Sequence, residues 1–158
     1  MIYFPINFKL TEKETQDLLE EAKIIPYYKH HGIGGYHHLD FGLAKEELTN
    51  KIIKFFPTPN RVTITSIEEN ETVPLHTDGN YGRNTVIILP LSNNYAPCIA
   101  DNTVIPYMNC YAFNTQVPHT VINNSTRRIS LQLWYDMDIE QLYSIMGNDT
   151  ILCLISYK

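Results

Sequence analysis

The sequence has 158 residues, of which 44% are hydrophobic and 18% charged, and its formal net charge is −5. This composition is unlike that of a disordered chain, and the acidic balance argues against a dedicated nucleic-acid-binding module, which normally carries a basic face. The length predicts a single domain over residues 1–158. Three widely spaced cysteines, with no signal-peptide pattern and no long apolar run, predict a cytoplasmic protein without a membrane span.

The first 60 residues predict a helical support for the rest of the chain. Residues 2–8 alternate loosely, as a short strand does. Thr11–Glu14 form a capping box that begins a helix extending to about Ile25. Residues 44–56 have the apolar spacing of a second amphipathic helix. Between the helices, the aromatic, histidine-rich and glycine-containing segment 27–41 predicts a loop that enters a short strand.

From residue 61 onward the apolar period changes from that of helices to that of strands. Many short strand patterns with no helix between them predict an antiparallel sandwich or barrel over 61–136, in a mainly β (α+β) protein. The C-terminal element, 137–158, predicts a helix over 138–146 and a last strand in ILCLIS. The strand patterns are RVTITSIEE, NTVIILPLS, PCIADN, TVIPY, NCYAFN, HTVIN and RRISLQLWYD.

Three potential metal ligands lie in the β-rich part. His76 and Asp78 are two residues apart, so their side chains point to the same face of a strand. His119 begins a later predicted strand. Two imidazoles and one carboxylate on one face of a metal leave three positions open, which is the facial triad of non-heme Fe(II) oxygenases. The sequence therefore predicts an iron site with room for a cosubstrate and dioxygen.

A potential anion site follows on the last predicted strand of the β-rich part. Arg128 and Ser130 share one strand face, whereas Arg127 points to the other and is expected at the outer start of the strand. A buried arginine needs a carboxylate partner, which its planar fork binds through two hydrogen bonds. A dicarboxylic cosubstrate would reach from the metal to Arg128. The alternative is that Arg128 forms a structural ion pair.

These motifs together resemble the 2-oxoglutarate/Fe(II)-dependent dioxygenases over about residues 61–135. The PHTVxNxS segment, followed by RRISL, is most similar to the aspartyl/asparaginyl and related amino-acid hydroxylases of that superfamily. The resemblance implies a double-stranded β-helix, or jelly roll, with the N-terminal helices packed on it. The motifs that carry it are His76-x-Asp78, Pro118-His119-Thr120-Val121-x-Asn123-x-Ser125 and Arg128-x-Ser130.

The resemblance also implies a reaction. The cofactors would be Fe(II), 2-oxoglutarate and O2, and the product a hydroxylated amino-acid side chain, peptidyl or free, with succinate and CO2. His76, Asp78 and His119 would be the metal ligands and catalytic residues. The cosubstrate would be bound by Arg128 and Ser130, with Asn84 and Trp134 lining the pocket. The expected partners are a small molecule or a peptide, with no nucleic acid and no membrane.

Two alternatives in the sequence stay open. A second HxD pair, His38-Leu39-Asp40, would start another triad, with His76 as the distal ligand and Arg83 following. His30, His31 and His37 crowd the glycine-containing loop and are consistent with a second metal site, a surface loop or a substrate-facing lid.

Two alternative functions also stay open. One is a non-oxidative, cupin-like protein that binds a metal as a binding or sensor protein. The other is a metal-dependent isomerase or hydrolase on the same fold. An intact triad followed by a distal arginine is more than a binding module needs, and this favours the oxygenase.

Overall fold

The computed structural model describes residues 1–23, 27–29, 35–39, 47–78, 84–94, 96–107 and 109–152. No helix within these ranges has the length and hydropathy that a membrane crossing requires. The described elements, in chain order, are β1 (Tyr3–Pro5), α1 (Glu12–Lys23), β2 (Tyr27–Lys29), β3 (Gly35–Leu39), α2 (Glu47–Ile53), β4 (Arg61–Ile67), β5 (Thr72–His76), β6 (Thr85–Pro90), β7 (Cys98–Ala100), β8 (Thr103–Ile105), β9 (Tyr111–Asn114), β10 (His119–Ile122), β11 (Arg128–Tyr135) and α3 (Ile139–Leu152).

The strands form two antiparallel sheets. The major sheet has the order β1-β9-β6-β11-β4-β3-β2, and the minor sheet has the order β5-β10-β7-β8. The pairings are nested along the chain, since β4 pairs with β11, β5 with β10, β6 with β9 and β7 with β8. A long hairpin that is coiled in this way is a jelly roll, so the predicted fold class is confirmed.

The major sheet separates two hydrophobic cores. One core lies between the two sheets, and the other lies between the major sheet and the helices. Residues of β11 contribute to both cores, because successive side chains of a strand point to opposite faces of the sheet. Leu131 and Leu133 are fully buried in the core beneath the helices, as the strand pattern predicts. Trp134, on the other face, packs in the core between the sheets.

The predicted capping box begins α1. The backbone N–H of Glu14 donates to the Thr11 hydroxyl at 3.1 Å, and the Thr11 N–H donates to the Glu14 carboxylate at 3.0 Å. At its other end α1 contacts α2, because the Glu21 carboxylate accepts hydrogen bonds from the Leu48 N–H and the Thr49 hydroxyl. Glu21 thus satisfies an N–H at the start of α2 that has no partner within the helix.

Two sequence-based expectations differ from the structure. Segment 27–41, expected as a loop entering one short strand, contains the two strands β2 and β3, which pair with each other and extend the major sheet from β4. Pairing with β3 satisfies backbone groups that would otherwise be exposed along β4. In the expected strand ILCLIS, Ile151 and Leu152 belong to α3 instead, and residues 153–156 lie outside the described residues. A short apolar run does not distinguish a strand from a helix.

Candidate metal centre and buried arginine

The structure brings the three predicted metal ligands together at one end of the minor sheet. His76, at the end of β5, is directly paired with His119, at the start of β10. Asp78 lies two residues beyond β5, and one carboxylate oxygen is 3.6 Å from His76 Nε2 and the other 3.3 Å from His119 Nε2. One ligand atom from each residue lies within 4.8 Å of the others. A single metal ion fits among them.

Backbone carbonyls fix the orientation of both imidazoles. His76 Nδ1 lies 2.7 Å from the Pro74 carbonyl oxygen, and His119 Nδ1 lies 2.9 Å from that of Val117. A carbonyl only accepts hydrogen bonds, so each Nδ1 donates, and Nε2 is the ring nitrogen available to a metal. Both Nε2 atoms face Asp78, which is the arrangement of histidines prepared to bind a metal.

The three side chains differ in exposure. His119 is 6% exposed, Asp78 15% and His76 38%. The backbone of Asp78 is held in place because its N–H donates to the Thr115 carbonyl at 2.9 Å. The group is therefore buried on the His119 side and open on the His76 side. This leaves coordination positions accessible, as a catalytic metal requires.

Arg128 is buried between the sheets at the other end of the jelly roll. It is the first residue of β11 and only 4% exposed. Its Nε donates to the Ala96 carbonyl at 3.2 Å, and its Nη2 donates to the Tyr111 hydroxyl at 3.2 Å. Among the described residues no carboxylate forms an ion pair with it. A buried cation without a counter-charge is costly, so the site suits an anionic ligand.

Small side chains line the interior between the candidate metal centre and Arg128. On β7, Ala100 is paired with His119 and Cys98 with Val121, and both inner residues are fully buried. Burial raises the pKa of the Cys98 thiol to about 11, with Arg128 lowering the pKa and Asp78 raising it. The thiol therefore lies within electrostatic reach of both groups. Cys98 and Cys110 are free and buried, while Cys153 lies outside the described residues.

The remaining predicted pocket residues occupy different places. Ser130, 1% exposed, lies on the inner face beside Arg128. Trp134 is at the opposite end of β11 and donates through Nε1 to the Thr63 hydroxyl at 3.0 Å. Asn84 donates through its side chain to the Asp136 carbonyl at 2.7 Å, which ties the start of β6 to the end of β11. The contribution of these residues to ligand binding stays a prediction.

Arg127 and Arg128 have the opposite environments that strand alternation predicts. The Arg127 side chain is 49% exposed, and its Nε donates to the Ser66 hydroxyl at 2.7 Å and forms an ion pair with Glu68 at 2.8 Å. Arg128, on the other face, lies inside the sandwich. The expectation that Arg127 stays at the surface is confirmed, and its ion pair with Glu68 is an addition that the local pattern did not indicate.

Several sequence-based alternatives fall outside what the structure describes. Asp40 and Arg83, of the second HxD register, lie outside the described residues, and so do His30 and His31. His38 contributes its backbone to β3, where it is paired with Thr63. His37 likewise belongs to β3.

Two residues beside Arg128 were missed by the sequence analysis. The guanidinium carbon lies 4.4 Å from the centre of the Tyr107 ring, and the Tyr111 hydroxyl accepts from Nη2. Burial raises the pKa of Tyr111, so this hydroxyl stays protonated. Neither tyrosine belongs to a motif with the arginine. Tyr107 follows β8 of the opposite sheet, and Tyr111 lies on β9 of the same sheet as β11, so only the tertiary structure brings them to Arg128.

Comparisons with known proteins identify the fold. No protein-family model and no curated protein sequence matches the chain. A solved structure of viral collagen prolyl hydroxylase from Paramecium bursaria Chlorella virus-1, in complex with 2-oxoglutarate, is 15% identical with a TM-score of 0.63, covering 85% of this chain and 95% of that one. A prolyl hydroxylase from Trichoplax adhaerens, bound to a hypoxia inducible factor peptide fragment, is 11% identical with a TM-score of 0.61, covering 92% and 87%.

A third solved structure with this fold is an RmlC-like cupin from Shewanella frigidimarina. It is 8% identical with a TM-score of 0.50, covering 75% of this chain and 90% of that one. Identities in this range establish a shared fold and leave the activity to be argued from the site. The chain therefore has the jelly-roll fold that prolyl hydroxylases and cupins share.

Proposed function

We propose that this protein is an Fe(II)- and 2-oxoglutarate-dependent dioxygenase that hydroxylates an unactivated C–H bond. The observation that carries the proposal is the combination of two sites in one interior. His76, Asp78 and His119 converge at one end, and Arg128 is buried at the other without a carboxylate from the described residues. The fold shared with prolyl hydroxylases supports the same reading.

In this proposal, His76, Asp78 and His119 hold the iron. Their donor set suits a ferrous ion, since imidazole and carboxylate are the ligands of the 2-His-1-carboxylate sites and no thiolate takes part. When bound, Fe(II) with O2 and 2-oxoglutarate supplies the oxidation of the C–H bond, with succinate and CO2 as co-products. The protein contributes two imidazoles in fixed orientations and the Asp78 carboxylate. The negative charge of this carboxylate lowers the free energy needed to bury a divalent cation.

Arg128 and Ser130 bind the distal carboxylate of 2-oxoglutarate. Of the five N–H groups of Arg128, those on Nε and one on Nη2 have protein acceptors among the described residues. A carboxylate can accept from both Nη nitrogens together, through N–H groups that these two hydrogen bonds do not use. Burial strengthens this charge-assisted contact because water does not compete for it.

We further propose that the substrate is an amino-acid side chain, in a peptide or free. The open side of the triad, next to His76, gives it access to the metal, with Asn84 and Trp134 near the same end. A prolyl hydroxylase of this fold is bound to a peptide, which supports a peptide substrate. The aspartyl/asparaginyl subtype rests on the PHTVxNxS segment and the RRISL sequence that follows it. Within that motif Asn123 is fully buried, so it serves the fold and does not select the substrate.

Turnover measured against a peptide panel tests the proposal. The Fe(II)-loaded protein is supplied with 2-oxoglutarate, O2 and peptides covering all side chains, and with the free amino acids. We expect succinate to form together with a mass gain of one oxygen in one substrate class. Asp78→Ala serves as the inactive control. Failure of the wild-type protein to bind 2-oxoglutarate in the presence of Fe(II) would contradict the proposal.

The alternative function is a metal-binding, cupin-like protein without oxidative activity. The RmlC-like cupin neighbour shows that the fold also occurs in that group. Anaerobic addition of 2-oxoglutarate to the Fe(II)-loaded protein distinguishes the two. Chelation of the iron by a 2-oxo acid gives a weak visible charge-transfer band, which a protein that binds only the metal does not show.

A further inference from the structure

The guanidinium of Arg128 lies over an aromatic ring, and no described carboxylate forms an ion pair with it. Its central carbon lies 4.4 Å from the centre of the Tyr107 ring. Building on the proposed function, we propose that Tyr107 is a positioning residue, which keeps Arg128 and Ser130 arranged for the distal carboxylate of the cosubstrate. Tyr107 lies two residues beyond the end of β8, as the last residue of the predicted strand TVIPY, and belongs to none of the motifs that predicted the site.

Tyr107 contacts three successive residues of β11. Its ring covers the Arg128 guanidinium, its hydroxyl donates to the Ile129 carbonyl at 2.6 Å, and the same oxygen lies 3.2 Å from the Ser130 hydroxyl. The Ser92 hydroxyl oxygen lies 3.4 Å from the Tyr107 hydroxyl and accepts a hydrogen bond from the Ile129 N–H at 2.8 Å. Tyr107 and Ser92 therefore hold the start of β11 through its backbone at Ile129, and Tyr107 also contacts the Arg128 and Ser130 side chains.

An aromatic ring is suited to this position for an electrostatic reason. The face of a tyrosine ring attracts a cation through its quadrupole, and the attraction is strongest where water is excluded. An acidic side chain would also stabilise Arg128, but it would occupy the in-plane N–H groups and compete with a carboxylate ligand. The Tyr107 ring, over which the guanidinium lies, offers no acceptor atom to these N–H groups. The guanidinium thus keeps its positive charge and its in-plane donors for the ligand.

The other two contacts of Arg128 fit the same arrangement. The Ala96 carbonyl accepts from Nε, and the Tyr111 hydroxyl accepts from Nη2. Both acceptors are uncharged, so they orient the guanidinium without neutralising it. The Tyr107 ring adds a third uncharged contact, which restrains the position of the guanidinium.

Two ligands separate a positioning role from a general structural one. 2-Oxoglutarate has a distal carboxylate, whereas pyruvate has the same 2-oxo acid group and lacks it. Binding of each to the Fe(II)-loaded protein is measured anaerobically by calorimetry. The variants are Y107L, which removes the ring, and Y107F, which keeps the ring and removes the hydroxyl. Y143L is the matched control, since Tyr143 packs its ring on Phe4 at the α3 side, 5.1 Å between centroids.

We expect Y107L to weaken 2-oxoglutarate binding by about tenfold, and Y107F by about threefold. The affinity for pyruvate and for Fe(II) should stay within about twofold of the wild-type value in both variants, because neither ligand reaches Arg128. Y143L should leave all three affinities unchanged. This pattern would support the positioning role, since a general loss of structure would weaken pyruvate and 2-oxoglutarate together.

Equal losses for the two ligands, or no loss for 2-oxoglutarate in Y107L, would overturn the inference while leaving the proposed function intact. If Y107L does not fold, Y107F decides: a tenfold or larger loss in a variant that retains the ring would contradict a role for the ring. If the wild-type protein binds neither 2-oxo acid, the proposed function is wrong and the role of Tyr107 falls with it.

Discussion

Asp78 carries the single negative charge among the three residues of the candidate metal centre. In Asp78→Ala, a divalent ion would keep two neutral imidazoles, and we expect metal affinity to fall on the order of 100-fold or more. The fold should persist, because the contact that fixes this position is the backbone N–H of Asp78 to Thr115. The checks are bound Fe(II) per chain and urea unfolding of the metal-free protein.

Glu69→Ala is the matched control for this substitution, since Glu69 is an exposed acid in the turn between β4 and β5. Its metal content should equal that of the wild-type protein. If Asp78→Ala bound metal normally, the site would have to be sought elsewhere, first at His38 and Asp40.

Arg127 and Arg128 offer a comparison between neighbours on opposite faces of one strand. We expect Arg128→Ala to weaken 2-oxoglutarate binding by about ten- to hundredfold, because a charge-assisted contact contributes about 1.5–3 kcal/mol. Arg127→Ala should leave this affinity unchanged and cost at most about 1 kcal/mol of stability, since its ion pair with Glu68 is half-exposed. Anaerobic titration of both variants measures this difference, and equal affinities would refute the assignment of strand faces.

Among the elements, the turns at the far end of the jelly roll depend on one buried amide. Asn123 Nδ2 donates to the carbonyls of Ile67, Glu68 and Thr126, and its Oδ1 accepts from the Asn94 side chain. These contacts join the end of β4, the turn before β11 and the segment after β6. The Asn of the PHTVxNxS motif therefore secures the strand connections next to Arg128.

Asn123→Ala should lower the free energy of unfolding by about 2–4 kcal/mol, because several buried groups lose their hydrogen-bond partner. Asn124→Ala is the control from the adjacent, exposed position and should change it by less than about 0.5 kcal/mol. Urea denaturation of both variants gives the two values. Similar stabilities would show that the buried network contributes little.

For the whole molecule, buried thiol and phenol groups limit stability at alkaline pH. Burial raises the pKa of Cys110 far above its ordinary value of 9.0, and it raises the pKa of Tyr135 as well, with Cys110 adding to that rise. The unfolded thiol ionises near pH 9.0, whereas the folded thiol stays protonated. The stabilisation that comes from the protonated Cys110 thiol is therefore fully present below pH 9.0. It is lost as the pH rises toward the pKa of the thiol in the folded protein.

We expect the free energy of unfolding to fall by about 1.4 kcal/mol per pH unit above pH 9.0 because of Cys110, and by a further amount of about 1.4 kcal/mol per pH unit above pH 10.0 because of Tyr135. Cys110→Ala should start from a lower stability, because it leaves a small cavity in the core, and should show a shallower decline. Urea unfolding over a series of alkaline pH values measures both slopes. Identical slopes would show that Cys110 does not contribute.

Local patterns were enough to predict much of this protein from its sequence. The capping box predicted where α1 begins, and the two-residue apolar period predicted the jelly-roll strands. The same period predicted that Arg127 lies at the surface and Arg128 in the interior. These features depend on residues close in the chain, whose side-chain directions follow from strand or helix geometry. The motif spacing also identified His76, Asp78 and His119 as one group, which the structure brings together.

Only the tertiary structure decided what depends on contacts between distant segments. No pattern of neighbouring residues predicts that β2 and β3 pair with each other and extend the sheet from β4. Nor does one predict that no described carboxylate lies at Arg128, or that its guanidinium lies over the Tyr107 ring. The same holds for Asn84 and Trp134, which lie at the triad end of the major sheet, away from Arg128. Strand alternation determines the face on which a side chain lies, but its neighbours across the interior depend on how the jelly roll coils and which strands it brings together.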